Sequence, residues 1–335
     1  MNRASGALRC VRIGKALTTC NTKRARYRWY RASFLLAICA AACTEPSSQE
    51  AKQVDSVQRT IVVGTLQNHN IDEASGLARS QRHPDVFWAI NDDGPSELFA
   101  FDSAGRDLGR VKISHASNRD WEDIASFTLD GVAYLLIADT GDNDGKRKDV
   151  RLYVVEEPKP GKSKVDVAWS FDFKYPEGAR DAEAIAVDVE NQQVLILTKR
   201  DIPVLLYSVP LVPDSKKRQS ATRLGAVNSL PRPARSEIEF APKTNNWHWQ
   251  PTSMDISGDG TKAVVLTYGG VYLYERGPDQ SWLAALQQQP VVISRTHNRQ
   301  AEAAAFNASG DAIFITLEQR NAPLFRLPID GASNE

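Results

Sequence analysis

No cysteine lies beyond residue 43: all four, Cys10, Cys20, Cys39 and Cys43, fall at the N-terminal end of a 335-residue chain. The remainder can form neither a disulfide nor a thiolate metal site, so its stability must come from a packed core. The apolar stretch from Phe34 to Ala42 is too short to cross a bilayer as a helix, which takes about 20 residues. Acidic residues are missing from positions 1–42, which carry nine Lys or Arg. Since the whole chain has zero formal charge, residues 43–335 are left at −9, a poor balance for a nucleic-acid binder. Long helical periodicity is absent. So are the Gly-x-Ser-x-Gly elbow, which disfavours a Ser nucleophile, the His-Glu-x-x-His pair and a phosphate-cradling glycine loop.

What is present at the N-terminus is a basic segment, a short apolar stretch and the small residues Ala40-Ala41-Ala42 before Cys43. This is the layout of an export signal. The run Ala40 to Cys43 resembles the bacterial lipobox, in which the cysteine is diacylated and becomes the new N-terminus. Residues 1–42 are therefore expected to be a lipoprotein signal peptide, Cys43 the lipidation site, and residues 43–57 a flexible polar tether. By resemblance to lipoprotein sorting rules, Thr44 favours the outer membrane.

From residue 58 to about 332 one pattern recurs. A strand opened by a polar residue is followed by an apolar strand ending in polar residues, and then by a Leu-Tyr-type strand. The openers are Glu73, Glu122, Glu183, Thr252 and Glu302. The paired second-strand ends are Asn91, Asp139, Lys199, Tyr268 and Glu318, always 16 to 18 residues later, whereas successive copies lie 49 to 69 apart. Constant cores with variable insertions are what radially repeated blades give. Fourth strands are expected at 110–114, 165–173, 221–227 and 291–294. The last copy lacks one, and residues 59–64 have the pattern to supply it and so remove an open edge. The fold class is all-β, a single five-bladed β-propeller closed by an N-terminal strand, or six-bladed if residues 228–250 hide a degenerate copy.

First strands of propeller blades line the central channel, so Glu73, Glu122, Glu183 and Glu302 are expected to converge there, with Thr252 or Ser253 from the remaining copy. Carboxylates crowded on one axis repel, and burying them unpaired is costly. Either a hard divalent cation with oxygen ligands, Ca²⁺ above all, neutralises them, or they bond to neighbouring amides and Arg as a latch between blades. The segments leading into the strands share an Arg-polar-x-Glu form at Arg119 to Glu122, Arg180 to Glu183 and Arg299 to Glu302. Arg119, Arg180 and Arg299, with Lys199, His248 and His297, suit a phosphate or carboxylate group. Equally, each Arg can pair with its own neighbouring acid. Trp121, Trp247, Trp249 and Tyr268 suit a planar ligand or simple packing.

The runs Glu73 to Leu77, Trp121 to Ala125, Ala138 to Asn143 and Arg180 to Ala184 resemble a group of uncharacterised bacterial secreted β-propellers, over most of residues 60–330. There is a looser similarity to the esterase-like phytase propellers. A distant one is to the calcium-activated apyrases, whose blade-opening Glu or Ser residues ligate Ca²⁺. That resemblance implies the ligand set Glu73, Glu122, Glu183, Ser253 and Glu302. Three functional readings follow. The first is a lipid-anchored module whose calcium-bearing channel face binds an anionic small molecule or an envelope protein. The second is a metal-dependent phosphate-ester hydrolase with Asp120 or Asp181 as general base. A scaffold for envelope assembly is a third.

Overall fold

The computed structural model describes residues 60–214, 219–230, 248–295 and 300–329. The leader, Cys43, the tether, Trp247, His297 and Arg299 lie outside these residues, as does most of the 228–250 segment. The described chain is all-β, with one short helix, α1 (Trp282–Leu286). No helix among the described residues is long and apolar enough to cross a membrane.

Strands β2 (Ala74–Arg79), β3 (Val86–Asn91), β4 (Glu97–Asp102) and β5 (Asp107–Ser114) pair consecutively and antiparallel. So do β6 (Asp123–Leu129), β7 (Val132–Asp139), β8 (Val150–Glu156) and β9 (Lys164–Lys174). A short parallel pairing of β5 with β9 joins these runs, and β13 (Gln219–Ser220) adds to β9. The two end strands of this path, β2 and β6, pack against each other, so the sheet curls back on itself.

Three four-stranded sheets follow. One holds β10 (Ala184–Asp188), β11 (Gln193–Leu197), β12 (Val204–Pro210) and β14 (Thr222–Val227). The next holds β15 (Pro251–Ile256), β16 (Lys262–Thr267), β17 (Gly270–Glu275) and β18 (Val291–Ser294). In the last, β19 (Ala301–Phe306), β20 (Ala312–Leu317) and β21 (Pro323–Pro328) are joined by β1 (Ile61–Thr65), which pairs antiparallel with β21. The N-terminal strand thus covers an edge that the C-terminal segment leaves open.

Burial follows the sequence pattern. β2 and β3 are buried at every position, whereas β9 alternates between exposed and more buried residues. Strands covered on both faces read as continuous apolar runs, and strands with one wet face alternate. The hairpin between β6 and β7 turns on Asp130 and Gly131 at φ of 50° and 78°, the conformation that an Asp-Gly pair adopts most cheaply.

The apolar cores lie between sheets that follow one another in the chain. One joins Trp88 and Ala100 to Ile137 and Tyr153, another Leu136 and Val154 to Ile196 and Tyr207. A third joins Leu195 and Leu206 to Val265 and Tyr274, and a fourth brings Leu266, Phe306 and Phe87 together. Phe87 and Phe314 meet there at 4.6 Å between ring centroids. Each fully buried side chain of this size stabilises the fold by about 1.5–3 kcal/mol.

Inner strands touch in order: β2 with β6, β6 with β10, β10 with β15, β15 with β19, and β19 with β2. The tightest approach is at Gly76, where an added Cβ would lie 2.7 Å from the amide nitrogen of Ile124 and 2.8 Å from the Cα of Asp123. Backbone cannot yield as a side chain does. Gly76→Ala is therefore expected to destabilise by about 2–3 kcal/mol, read as a lower urea midpoint. An unchanged midpoint would mean that these two strands separate freely.

Candidate functional site

The segments preceding the inner strands are pinned before any functional side chain is placed. Trp121 N donates to Asp92 O and Glu122 N to Ala138 O, both at 2.9 Å. Ser75 Oγ donates to Trp121 O at 2.7 Å, and Thr140 Oγ1 to Ala182 O at 2.8 Å. Each hydroxyl ties one inner strand or its partner to the segment leading into the next. The Trp121 ring is fully buried, with Nε1 donating to Ser117 O, so it packs rather than faces a ligand.

On this frame Glu122, Asp181 and Glu183, all buried, bring one carboxylate oxygen each to within 4.8 Å of one another. Asp120 lies beside Glu122, and both carboxylates rest against Gly141, where a Cβ would collide with them. Glu183 accepts from the Lys199 ammonium. Lys199 Nζ also sits 5.2 Å from the Tyr268 ring centroid, while Tyr268 OH donates to Glu302. Glu302 in turn contacts Glu318. A second group, Glu73 with Asp92 and Asp93, forms a similar triangle of oxygens.

The electrostatics follow from that crowding. Burial pushes the Glu183 carboxyl up to about 8, helped by Glu302 and opposed by Lys199. Burial and then Glu183 hold Glu122 well above its ordinary range. Glu318 is raised to about 7 by burial and Glu302, and Asp92 to about 7 by burial and Glu73. Asp120 is raised too, chiefly by burial. Burial pulls Lys199 down, but Glu183 and Glu302 outweigh it and keep the ammonium above its usual value.

The sequence-predicted residues divide clearly. Glu122, Glu183 and Glu302 approach one another, with Asp120, Asp181 and Lys199 among them. Glu73 meets the group through Glu318. Asp181 is engaged: Oδ1 accepts from Asp142 N at 2.9 Å and Oδ2 from Arg200 Nε. Arg180 turns away, donating to Ala179 O and pairing with Asp201 at 3.3 Å. Arg119 is exposed over a groove shared with Asp139 and Arg147. His248 is half-buried, its backbone against Gly269.

Ser253 is buried between strands. Its Oγ lies 3.3 Å from Asp123 Oδ1 and from Ala304 O, and accepts from Ala304 N at 3.2 Å. It serves cohesion between β15 and β19 and is no member of the carboxylate group.

Two carboxylates that the sequence reading passed over form the latch between inner strands. Asp123 accepts Ile124 N, Ile185 N and Met254 N at 2.9, 3.0 and 3.2 Å, so β6 is bonded to both β10 and β15. Asp255 accepts Ile256 N and Phe306 N, both at 2.9 Å, bonding β15 to β19. Arg147 was also missed. Its buried guanidinium donates to Asp139 and to Gly141 O, each at 2.7 Å, which fixes the loop against which Asp120 and Glu122 rest.

No protein-family model matches the chain, and no curated protein matches it. Among solved structures, one described as "Structure of U3-55K" aligns over 79% of this chain and 98% of its own, at 12% identity and a TM-score of 0.40. A similarity of that size carries no argument about fold or function.

Proposed function

We propose that the protein is an exported, lipid-anchored five-bladed β-propeller. Its acidic channel mouth holds a divalent cation and presents it to an anionic small molecule or an envelope partner. The propeller reading is supported by the cyclic order of inner-strand contacts and by β1 completing the last sheet. The observation that carries the cation is the group of Glu122, Asp181 and Glu183 oxygens within 4.8 Å of one another. Among the described residues Lys199 is buried against Glu183 as a counter-charge, and the more exposed Arg200 pairs with Asp181. Glu122, Asp181 and Glu183 with Asp120 beside them, four acids against these two bases, leave negative charge in a largely dry setting, which protons or a metal must neutralise.

The donors are all oxygen, which fits a hard cation such as Ca²⁺. Glu122, Asp181 and Glu183 would hold it, with Asp120 and Glu302 alongside. When bound, the ion would supply a Lewis-acidic position for an anionic oxygen. The chain's own residues do the rest: Lys199 fixes Glu183, Tyr268 orients Glu302, and Arg200 with the Asp142 amide sets the angle of Asp181.

Chelator-treated protein titrated with Ca²⁺ in a calorimeter is expected to show saturable binding. Glu122→Gln should weaken it by about 10- to 100-fold, the size of losing one charged contact. Melting that ignores both chelator and Ca²⁺ would reject the cation.

One observation favours a hydrolytic reading of the same mouth. Asp120 is half-buried beside Glu122, and that burial raises its carboxyl, which suits a group that takes a proton from water. A panel of nucleotides, phytate and aryl phosphates, with and without Ca²⁺, tests it. Absence of metal-stimulated turnover leaves the binding role alone.

A further inference from the structure

A second polar cavity, of about 490 Å³, lies at the far ends of the same inner strands. β2 starts beside Glu73 and ends at Arg79, β10 starts beside Glu183 and ends at Asp188, and β15 runs out into Ser257 to Gly260. At about 3.3 Å per residue, the path from Glu73 to Arg79 spans roughly 20 Å. The cavity is therefore separate from the acidic mouth.

Arg79 dominates its chemistry. The residue is 9% exposed, and its Nε is buried without a hydrogen-bond partner. Among the described residues no carboxylate pairs with it. Asp255, a buried acid that feels the Arg79 charge, already uses both oxygens on Ile256 N and Phe306 N.

Every acid in the cavity wall is similarly engaged. Asp188 accepts from Asn191 and Gln193, and Asp259 from Ser257 Oγ and Thr261 N. Glu190 takes Arg276, whose guanidinium lies 4.8 Å from the Trp282 ring centroid. Glycine at 258 keeps the space beside Arg79 open, since a Cβ there would stand 3.0 Å from its terminal nitrogen.

A guanidinium buried with an unmet donor is costly, and an oxyanion held by two parallel N–H bonds is its natural complement. We propose that this cavity binds a small oxyanion-bearing molecule, its phosphate or carboxylate group gripped by Arg79. The ring of Trp282 under Arg276 walls the side where the remainder of such a molecule would lie.

The test titrates purified protein with inorganic phosphate and, separately, with succinate. Ionic strength is held constant, and chelator is present so that no metal at the acidic mouth contributes. Saturable binding of at least one is expected, and the preferred one identifies the group. Arg79→Met should weaken it by about 10- to 100-fold. Gly258→Leu, which keeps Arg79 but fills the cavity, should do the same and carries the test if Arg79→Met fails to fold. No saturable binding of either anion by the natural protein overturns the proposal, and so does undiminished binding in Gly258→Leu. Arg79 would then be only a counter-charge for Asp255.

Discussion

Asp123→Ala is expected to destabilise the protein by about 3–6 kcal/mol. The carboxylate is fully buried, and its two oxygens accept three backbone amides and approach one hydroxyl. Two of those amides, on Ile185 and Met254, belong to other inner strands. Truncation leaves them without water or partner, at about 1–3 kcal/mol each, and opens a cavity besides. Asp123→Asn keeps the shape but turns an NH₂ group toward amide donors, so it should recover only part of the loss. Urea unfolding of the three proteins measures this directly. A cost below about 1 kcal/mol for Asp123→Ala would show that apolar packing alone joins β6 to β10 and β15.

The contrast between Glu122 and Asp123 shows where the sequence was legible. Strand positions followed from apolar runs, and the repeated polar opener drew attention to Glu73, Glu122, Glu183 and Glu302. Alternation along a strand sends adjacent side chains opposite ways. Of two consecutive acids, one therefore faces the cluster and the other faces backbone. Pattern reading has no means of saying which carboxylate will find amides, because those amides lie 62 and 131 residues away in the chain.

The partners of the arginines were illegible for a related reason. Arg180 shares its motif with Arg119, yet Asp201 follows close behind β11 and captures it. Arg147 sits in a loop whose Asp142 carboxylate bonds the amides of Lys146 and Arg147, folding the segment back over Asp139. Arg79 read as an ordinary polar end to a strand. Its burial depends on Ser257 to Gly260, some 180 residues on, and no local signal reports that.

Metal-free protein is expected to lose stability as pH rises from about 5 to about 8, by on the order of a few kcal/mol, and Ca²⁺ should cancel that loss. The sign follows from Glu183, whose carboxyl is raised from an ordinary 4.5 to about 8 by burial. Between those values the native state keeps a proton that the unfolded chain has released. Stability is therefore fully present below about 4.5 and drains away as pH climbs through the folded value. Asp255, raised to about 6 by burial, acts in the same direction. Glu318 and Asp92, both near 7 and half-exposed, add less.

The depressed carboxyls, among them Asp259 near 2, work the other way but only below the range considered, so they leave the slope alone. A cation among Glu122, Asp181 and Glu183 replaces the proton and removes the reason for the pH dependence. The midpoint at pH 8 should then rise and the slope flatten. Glu183→Gln should flatten it without metal. Urea midpoints across this range in chelator and in Ca²⁺ decide the matter, and a flat or rising profile in chelator would mean that Lys199 and Arg200 neutralise the acids and that no cation is called for.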